Sequence, residues 1–258
     1  LKNENGGVLA FVFLVFIYLS VYWQTLQTFA SEWTDFGGIY GHGLLVVGLS
    51  FYSLWKNRNM FSFGSRCSIL VASVTIFAGS LVWAAGVITH TLLVAQLALY
   101  MIFCSLVIGV AGFKQYRAYI IPLILVMIVI PAWGFLQYIL RDISVSVTSV
   151  SLDLLDIPFH RYGYTYNLPG GSFIVELACS GLSFFLTSAV LGIYIGYDLN
   201  FDLKSRWFFL FVCLLVSVIS NWVRVVLIMV VGNATNMQHF IATDHLTFGW
   251  ILYFLIIY

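Results

Sequence analysis

Long apolar runs interrupted by short polar clusters dominate the chain. A helix needs about 20 apolar residues to cross a hydrocarbon core of about 30 Å. The runs at 8–23, 39–55, 68–88, 91–113, 118–140, 177–197, 207–231 and 246–258 predict about eight spans. The stretch 68–113 is almost unbroken, and Thr89, His90 and Thr91 form its one polar cluster, so it divides there into a tight helical hairpin. The last run has 13 residues, too few to cross unless the chain continues or the helix extends upstream. Both ends are accordingly expected to be cut or incompletely covered. Thr28-Phe29-Ala30 loosely resembles a signal cleavage site, but the polar stretch before it is long for a signal, so the first run is read as an uncleaved helix.

Two segments depart from this pattern. Residues 141–157 alternate Ser and Thr with Val, Ile and Leu and end in an acidic amphipathic turn, which predicts a segment along the outer interface or a re-entrant one. Residues 160–177 alternate Tyr162, Tyr164 and Tyr166 with polar or small residues, turn at Pro169-Gly170-Gly171, and continue into a β-rich arm. That predicts a β-hairpin on the outer face. The fold class is therefore all-α: a polytopic transmembrane bundle of about eight spans with a short extracytoplasmic β-hairpin at 160–177, one integral membrane domain over 1–258.

Composition agrees. Charged residues make up 8% of the chain, against roughly 25% in a soluble domain, and 62% of residues are hydrophobic. So little charge cannot cover a water-facing surface, which excludes soluble globular, disordered and nucleic-acid-binding classes. The net charge of +1 says nothing about an acidic or basic partner. The distribution of Lys and Arg says more. With a cytoplasmic N-terminus, Lys2, Lys56, Arg58, Arg66, Lys114, Arg117, Lys204 and Arg206 lie inside, Arg141 and Arg161 outside, and Arg224 within a span. The expected location is the cell membrane, multi-pass, with the N-terminus cytoplasmic.

Cys67, Cys104, Cys179 and Cys213 are widely spaced and form no CxxC pair, so neither a zinc site nor a disulfide framework is expected. No cofactor is called for. Ionisable groups inside spans cost roughly 3 kcal/mol each on insertion scales and ask for a reason. Arg224 has no acid on its helix and lies about two turns from the outer end; Asn221 shares its face at i−3. Cys179, in ELACSGLS at 176–183, opens a span, where a helix dipole would favour the thiolate. His245 enters the last span from outside, preceded by Asp244, a residue type that can cap the helix. His42 and His90 also fall at outer ends. Taken singly, Arg224 reads equally as a snorkelling anchor, Cys179 as a small core residue and His245 as an interfacial one. The topology puts Cys179, Arg224 and His245 on three consecutive spans near one face. That trio fits thiol acyl transfer: Cys179 as nucleophile, His245 as general base and acid, Arg224 stabilising the oxyanion or a substrate group. Asn221, Asp244, Glu176 and His42 are supporting candidates, for which packing is an equally good reading.

At these residues the sequence resembles the exosortase/archaeosortase family. The resemblance is carried by ACSGL (178–182), NWVRVVL (221–227), DH with FGW (244–250), LPGGSFIVEL (168–177) and YGHGLLV (40–46), over roughly 33–258. It implies that Cys179, Arg224 and His245 take the places of the family's catalytic trio, in a cysteine peptidase/transpeptidase facing the exterior. The implied partners are membrane-anchored proteins ending in a short motif such as Pro-Glu-Pro, one transmembrane helix and a basic tail, with an envelope acceptor for the new C-terminus. The GlyHisGly region favours the bacterial branch. A transporter, a non-catalytic scaffold or subunit, and a serine protease using Ser180 or Ser183 are the competing readings. The apolar run 207–219 argues against a polar pathway, and the absence of a GlyXxxSerGly pattern argues against the serine enzyme.

Overall fold

In a computed structural model, residues 4–61, 64–239, 241, 247–249, 251, 253 and 255 are described. Helices dominate, and the chain divides into two compact units: one formed by 1–36 and 40–132, the other by 37–39 and 133–258.

The first unit holds α1 (Glu4–Val21), α2 (Trp23–Thr34), α3 (Gly43–Lys56), α4 (Arg66–Ile88), α5 (Leu92–Ala111) and α6 (Tyr116–Ile128). The chain bends by 89° between α1 and α2. The predicted break at Thr89-His90-Thr91 is where α4 ends and α5 begins, with His90 in the left-handed region at φ 55°. Small residues let these two helices approach closely: a Cβ on Gly86 would lie 2.7 Å from the Ala95 backbone nitrogen. Lipid gives helices no hydrophobic reason to associate, so close packing and interhelical hydrogen bonds must supply it. Tyr18 donates to the Leu99 carbonyl at 3.2 Å, Trp83 Nε1 to Thr25 Oγ1 at 3.0 Å, and Thr75 to Ser105 at 2.8 Å.

The second unit holds α7 (Phe135–Leu154), strands β1 (His160–Tyr162), β2 (Thr165–Leu168) and β3 (Gly171–Ile174), and helices α8 (Leu182–Asp198) and α9 (Leu203–Ala234). The strands form an antiparallel meander in the order β1-β2-β3, so the expected single hairpin is two hairpins sharing β2. Pro169-Gly170 makes the second turn, as the sequence suggests. One sheet face is apolar: Tyr166, Leu168, Phe173 and Val175 pack with Val145 and Leu152 of α7 and Val225 and Met229 of α9. Two polar anchors fix it. The Tyr166 hydroxyl donates to the Val145 carbonyl at 2.7 Å and lies 2.8 Å from Ser149 Oγ. The Gly170 N–H donates to Asn233 Oδ1 of α9 at 2.7 Å.

Two expectations are corrected. The predicted span 118–140 is not one helix: α6 ends at Ile128 and α7 begins at Phe135. Pro131 explains the break, because its ring pushes the preceding residue out of helical geometry. The Ser- and Thr-rich segment is helical. In α7, Ser144, Ser146, Ser149 and Ser151 each donate to the carbonyl four residues earlier, which satisfies the hydroxyls without leaving the helix. Among the described residues, α4, α5, Leu177–Asp198 and α9 are long and apolar enough to cross a membrane, and the bent α1–α2 pair makes a fifth candidate. That is fewer than about eight. The 14 residues of α3 and the 13 of α6 fall short of a full crossing, and much of 246–258 lies outside the described residues.

Candidate functional site

The link from the sheet to α8 is a short 3₁₀ turn, Leu177–Ser180, which carries Cys179. Cys179 is therefore not in the first turn of a helix, as the sequence suggests; α8 starts three residues later, at Leu182. The turn is closed by the Cys179 N–H donating to the Glu176 carbonyl at 3.0 Å. Gly181 then reverses the chain in the left-handed region, at φ 81° and ψ 11°. L-residues pay to adopt that conformation and glycine does not. Space demands glycine as well: a Cβ there would sit 2.5 Å from Asn221 Cγ.

Asn221 explains that tightness. Its side chain is 1% exposed, and its Nδ2 donates to the Cys179 carbonyl at 3.0 Å and faces Ser144 Oγ at 3.4 Å. The geometry shows Asn221 holding the cysteine turn. Gln137 Nε2 of α7 faces the Leu177 carbonyl at 3.4 Å and braces the same turn from the other side.

One helical turn further along α9, Arg224 is 6% exposed. Its guanidinium lies over the Phe184 ring, 4.9 Å from the centroid, and Phe184 stacks on Tyr253 at 4.6 Å and 12°. The Tyr253 and Ser188 hydroxyls are 2.8 Å apart, which ties the stack to α8. Gly249 faces the guanidinium, where a Cβ would lie 2.7 Å from Nη1. The Arg224 Nε has no hydrogen-bond partner among the described residues. Arg224 follows by one helical turn the Asn221 that bonds the Cys179 carbonyl. A buried cation resting on an aromatic face, with a donor left over, is poised to receive an anion or a developing negative charge.

Cys179 opens into a cleft of about 320 Å³. One wall is β3 with Glu176; the other is Val225, Ile228 and Met229 of α9, and Met237 closes the end. Glu176 is exposed at the mouth. Among the described residues no group of His, Cys, Asp or Glu is arranged to hold a metal ion.

Of the sequence candidates, Cys179, Arg224, Asn221 and Glu176 come together here. His245 and Asp244 lie outside the described residues. His42, buried at the start of α3, belongs to the first unit. Sequence reasoning missed Phe184, Tyr253, Gly249 and the left-handed turn at Gly181. The glycine beside the cysteine was a readable signal for a left-handed turn; an aromatic shelf under an arginine is invisible among so many aromatic residues.

A family model described as transmembrane exosortase (Exosortase_EpsH) matches residues 33–258. No curated protein and no solved structure matches the chain.

Proposed function

The chain belongs to the transmembrane exosortase family, a family of membrane protein-sorting transpeptidases, and on that premise we propose a cysteine transpeptidase that works at the outer face of the cell membrane. Its substrates are membrane-anchored proteins with a C-terminal sorting signal: a short motif of the Pro-Glu-Pro kind, one transmembrane helix and a basic tail. The observation that carries the proposal is Cys179 lining a cleft, its turn bonded by Asn221 one helical turn from a buried Arg224 that has no partner for its Nε among the described residues.

The steps follow from the groups present. His245 takes the Cys179 proton, and the sulfur attacks the scissile carbonyl. Negative charge develops on the carbonyl oxygen, and Arg224 stabilises it. His245 returns its proton to the leaving nitrogen, the C–N bond breaks, and the transmembrane tail departs as an amine. The acyl part remains on Cys179 as a thioester. An envelope amine or hydroxyl then attacks, gives its proton to His245, and releases the sulfur. Asn221 acts through the turn: its bond to the Cys179 carbonyl fixes the direction of the sulfur. The basic tail fits the same inside bias as the enzyme's own Lys and Arg. The proposed N-terminus is cytoplasmic and the cleft faces the exterior.

The test is processing of a co-expressed protein that carries such a tail. Cys179→Ala, accumulated to the wild-type level, should leave the substrate at full length, and His245→Ala should do the same. Cleaved substrate in the Cys179→Ala strain would remove the nucleophile assignment.

A further inference from the structure

Among the described residues, the ladder leaves the outer edge of β3 unpaired beside the nucleophile. Across β2 and β3 the residue pairs are Thr165 with Ile174, Tyr166 with Phe173, Asn167 with Ser172, and Leu168 with Gly171. The Val175 N–H donates to the Tyr164 carbonyl at 3.0 Å, which makes that pair a hydrogen-bonded one. Hydrogen-bonded pairs alternate along an antiparallel ladder. Phe173 and Gly171 therefore also point their backbone groups at β2, and Ser172 and Ile174 point theirs away. The N–H and C=O of Ser172 and Ile174 face the free edge, and that edge borders the cleft holding Cys179. Strand β1 has a free edge too, but the cleft with Cys179 borders β3.

We infer that the substrate segment just upstream of the scissile bond binds as a fourth strand on the β3 edge, parallel to β3. This rests on the reading of Cys179 as the nucleophile. The direction follows from chemistry. The acylated carbonyl must sit at the sulfur, and the residues before it must trail away along the cleft. Chain order in β3 runs from Gly171 through Ile174 toward Cys179, so a substrate approaching the sulfur from its own N-terminal side runs the same way. The occupant is the acyl part and not the leaving helix, because the acyl part has to stay bound after cleavage while the acceptor attacks. Main-chain pairing supplies affinity without demanding a sequence, and the apolar wall of Val225, Ile228 and Met229 reads the side chains that face it. The edge amides that pair with substrate are in turn satisfied.

The test exploits the direction of the amides. Proline is tolerated on an edge strand where the lost N–H faces outward, and is not tolerated where it faces the neighbouring strand. Ser172→Pro and Ile174→Pro should keep wild-type accumulation and thermal stability in detergent, yet slow processing of the co-expressed tail protein by about tenfold or more. Arg161→Pro, which removes an outward-facing N–H from the β1 edge instead, should process within about twofold of wild type. Full processing by both β3 proline variants would overturn the inference while leaving Cys179 as nucleophile. If those variants fail to accumulate, a benzophenone amino acid at position 174 in the Cys179→Ala background decides. Crosslinking to the tail protein from position 174, and not from position 162 on β1, supports the inference. Equal crosslinking from both positions, or crosslinking only to a second copy of this chain, refutes it. Loss of processing with retained crosslinking in Cys179→Ala separates the docking claim from the chemical one.

Discussion

Gly181→Ala is the most direct probe of how the cysteine turn is built. Two costs arise. The residue must stay in the left-handed region at φ 81°, which costs an alanine roughly 1–2 kcal/mol. Its Cβ would also lie 2.5 Å from Asn221 Cγ and 2.7 Å from Asn221 Cβ, closer than carbon atoms pack. Asn221 is fully enclosed and cannot swing away, so the overlap adds about 1–3 kcal/mol. The expected loss is about 2–5 kcal/mol of stability, together with the 3.0 Å bond from Asn221 to the Cys179 carbonyl. A double-mutant cycle isolates the steric part. Asn221→Ala alone gives up that bond and leaves a small void, about 1–3 kcal/mol. In Gly181→Ala/Asn221→Ala the overlap with the amide at 2.5 Å is relieved while the 2.7 Å contact with the Cβ at 221 remains, so the double variant should be less destabilised than the sum by about 1 kcal/mol or more. The assay is reversible unfolding in mixed micelles, read alongside maleimide labelling of Cys179 and substrate processing. Additive losses, or a Gly181→Ala protein within about 0.5 kcal/mol of wild type, would show that the turn does not depend on this contact.

Further outcomes follow from the same geometry. Arg224→Lys keeps the charge but loses the planar group that lies over Phe184 at 4.9 Å; a desolvated cation–π contact of about 2 kcal/mol corresponds to a fall of roughly 30-fold in processing. Unchanged processing in that variant would show that a point charge suffices. Tyr166→Phe removes a hydroxyl that sits between the Val145 carbonyl and Ser149, and should cost about 1–3 kcal/mol by chemical denaturation, because a buried carbonyl is left with less than it had. A loss below about 0.5 kcal/mol would mean that apolar packing alone holds the sheet to α7.

Hydropathy made the membrane class and the α4–α5 hairpin legible, because a Thr-His-Thr cluster inside so long an apolar run belongs at a turn, where its polar groups reach water. It read 141–157 as a break in the helical pattern, interfacial or re-entrant; the back-bonds that make α7 helical depend on geometry that composition does not carry. It merged α6 with α7 because Pro131 counts as merely apolar on a hydropathy scale. The strand signal around Tyr162, Tyr164 and Tyr166 and the β-rich arm after Pro169-Gly170-Gly171 were readable, but the turn at Gly163-Tyr164 that splits the first arm into β1 and β2 was not. At the site, residue types and order pointed to Cys179 and Arg224. The role of Asn221 depends on a backbone carbonyl turned toward it, which no pattern of side chains encodes.

The length of α9 has its own implication. Its 32 residues make a rod of about 48 Å, while the oily layer is about 30 Å deep. No ordinary tilt absorbs that excess. Lys204 and Arg206 mark the wet edge at the start of the rod, so about 20 residues from Trp207 use up the oil near Val226. Arg224 then stands about 3 Å below the waterline, and the last two turns rise above it as a greasy mast. Gly232 on that mast is sheathed by Phe173, and Asn233 moors the turn at Gly170. The small sheet thus packs against the end of a helix longer than a bilayer is deep, and under the proposed function it sets the height at which a membrane-tethered chain is met without being lifted out of lipid.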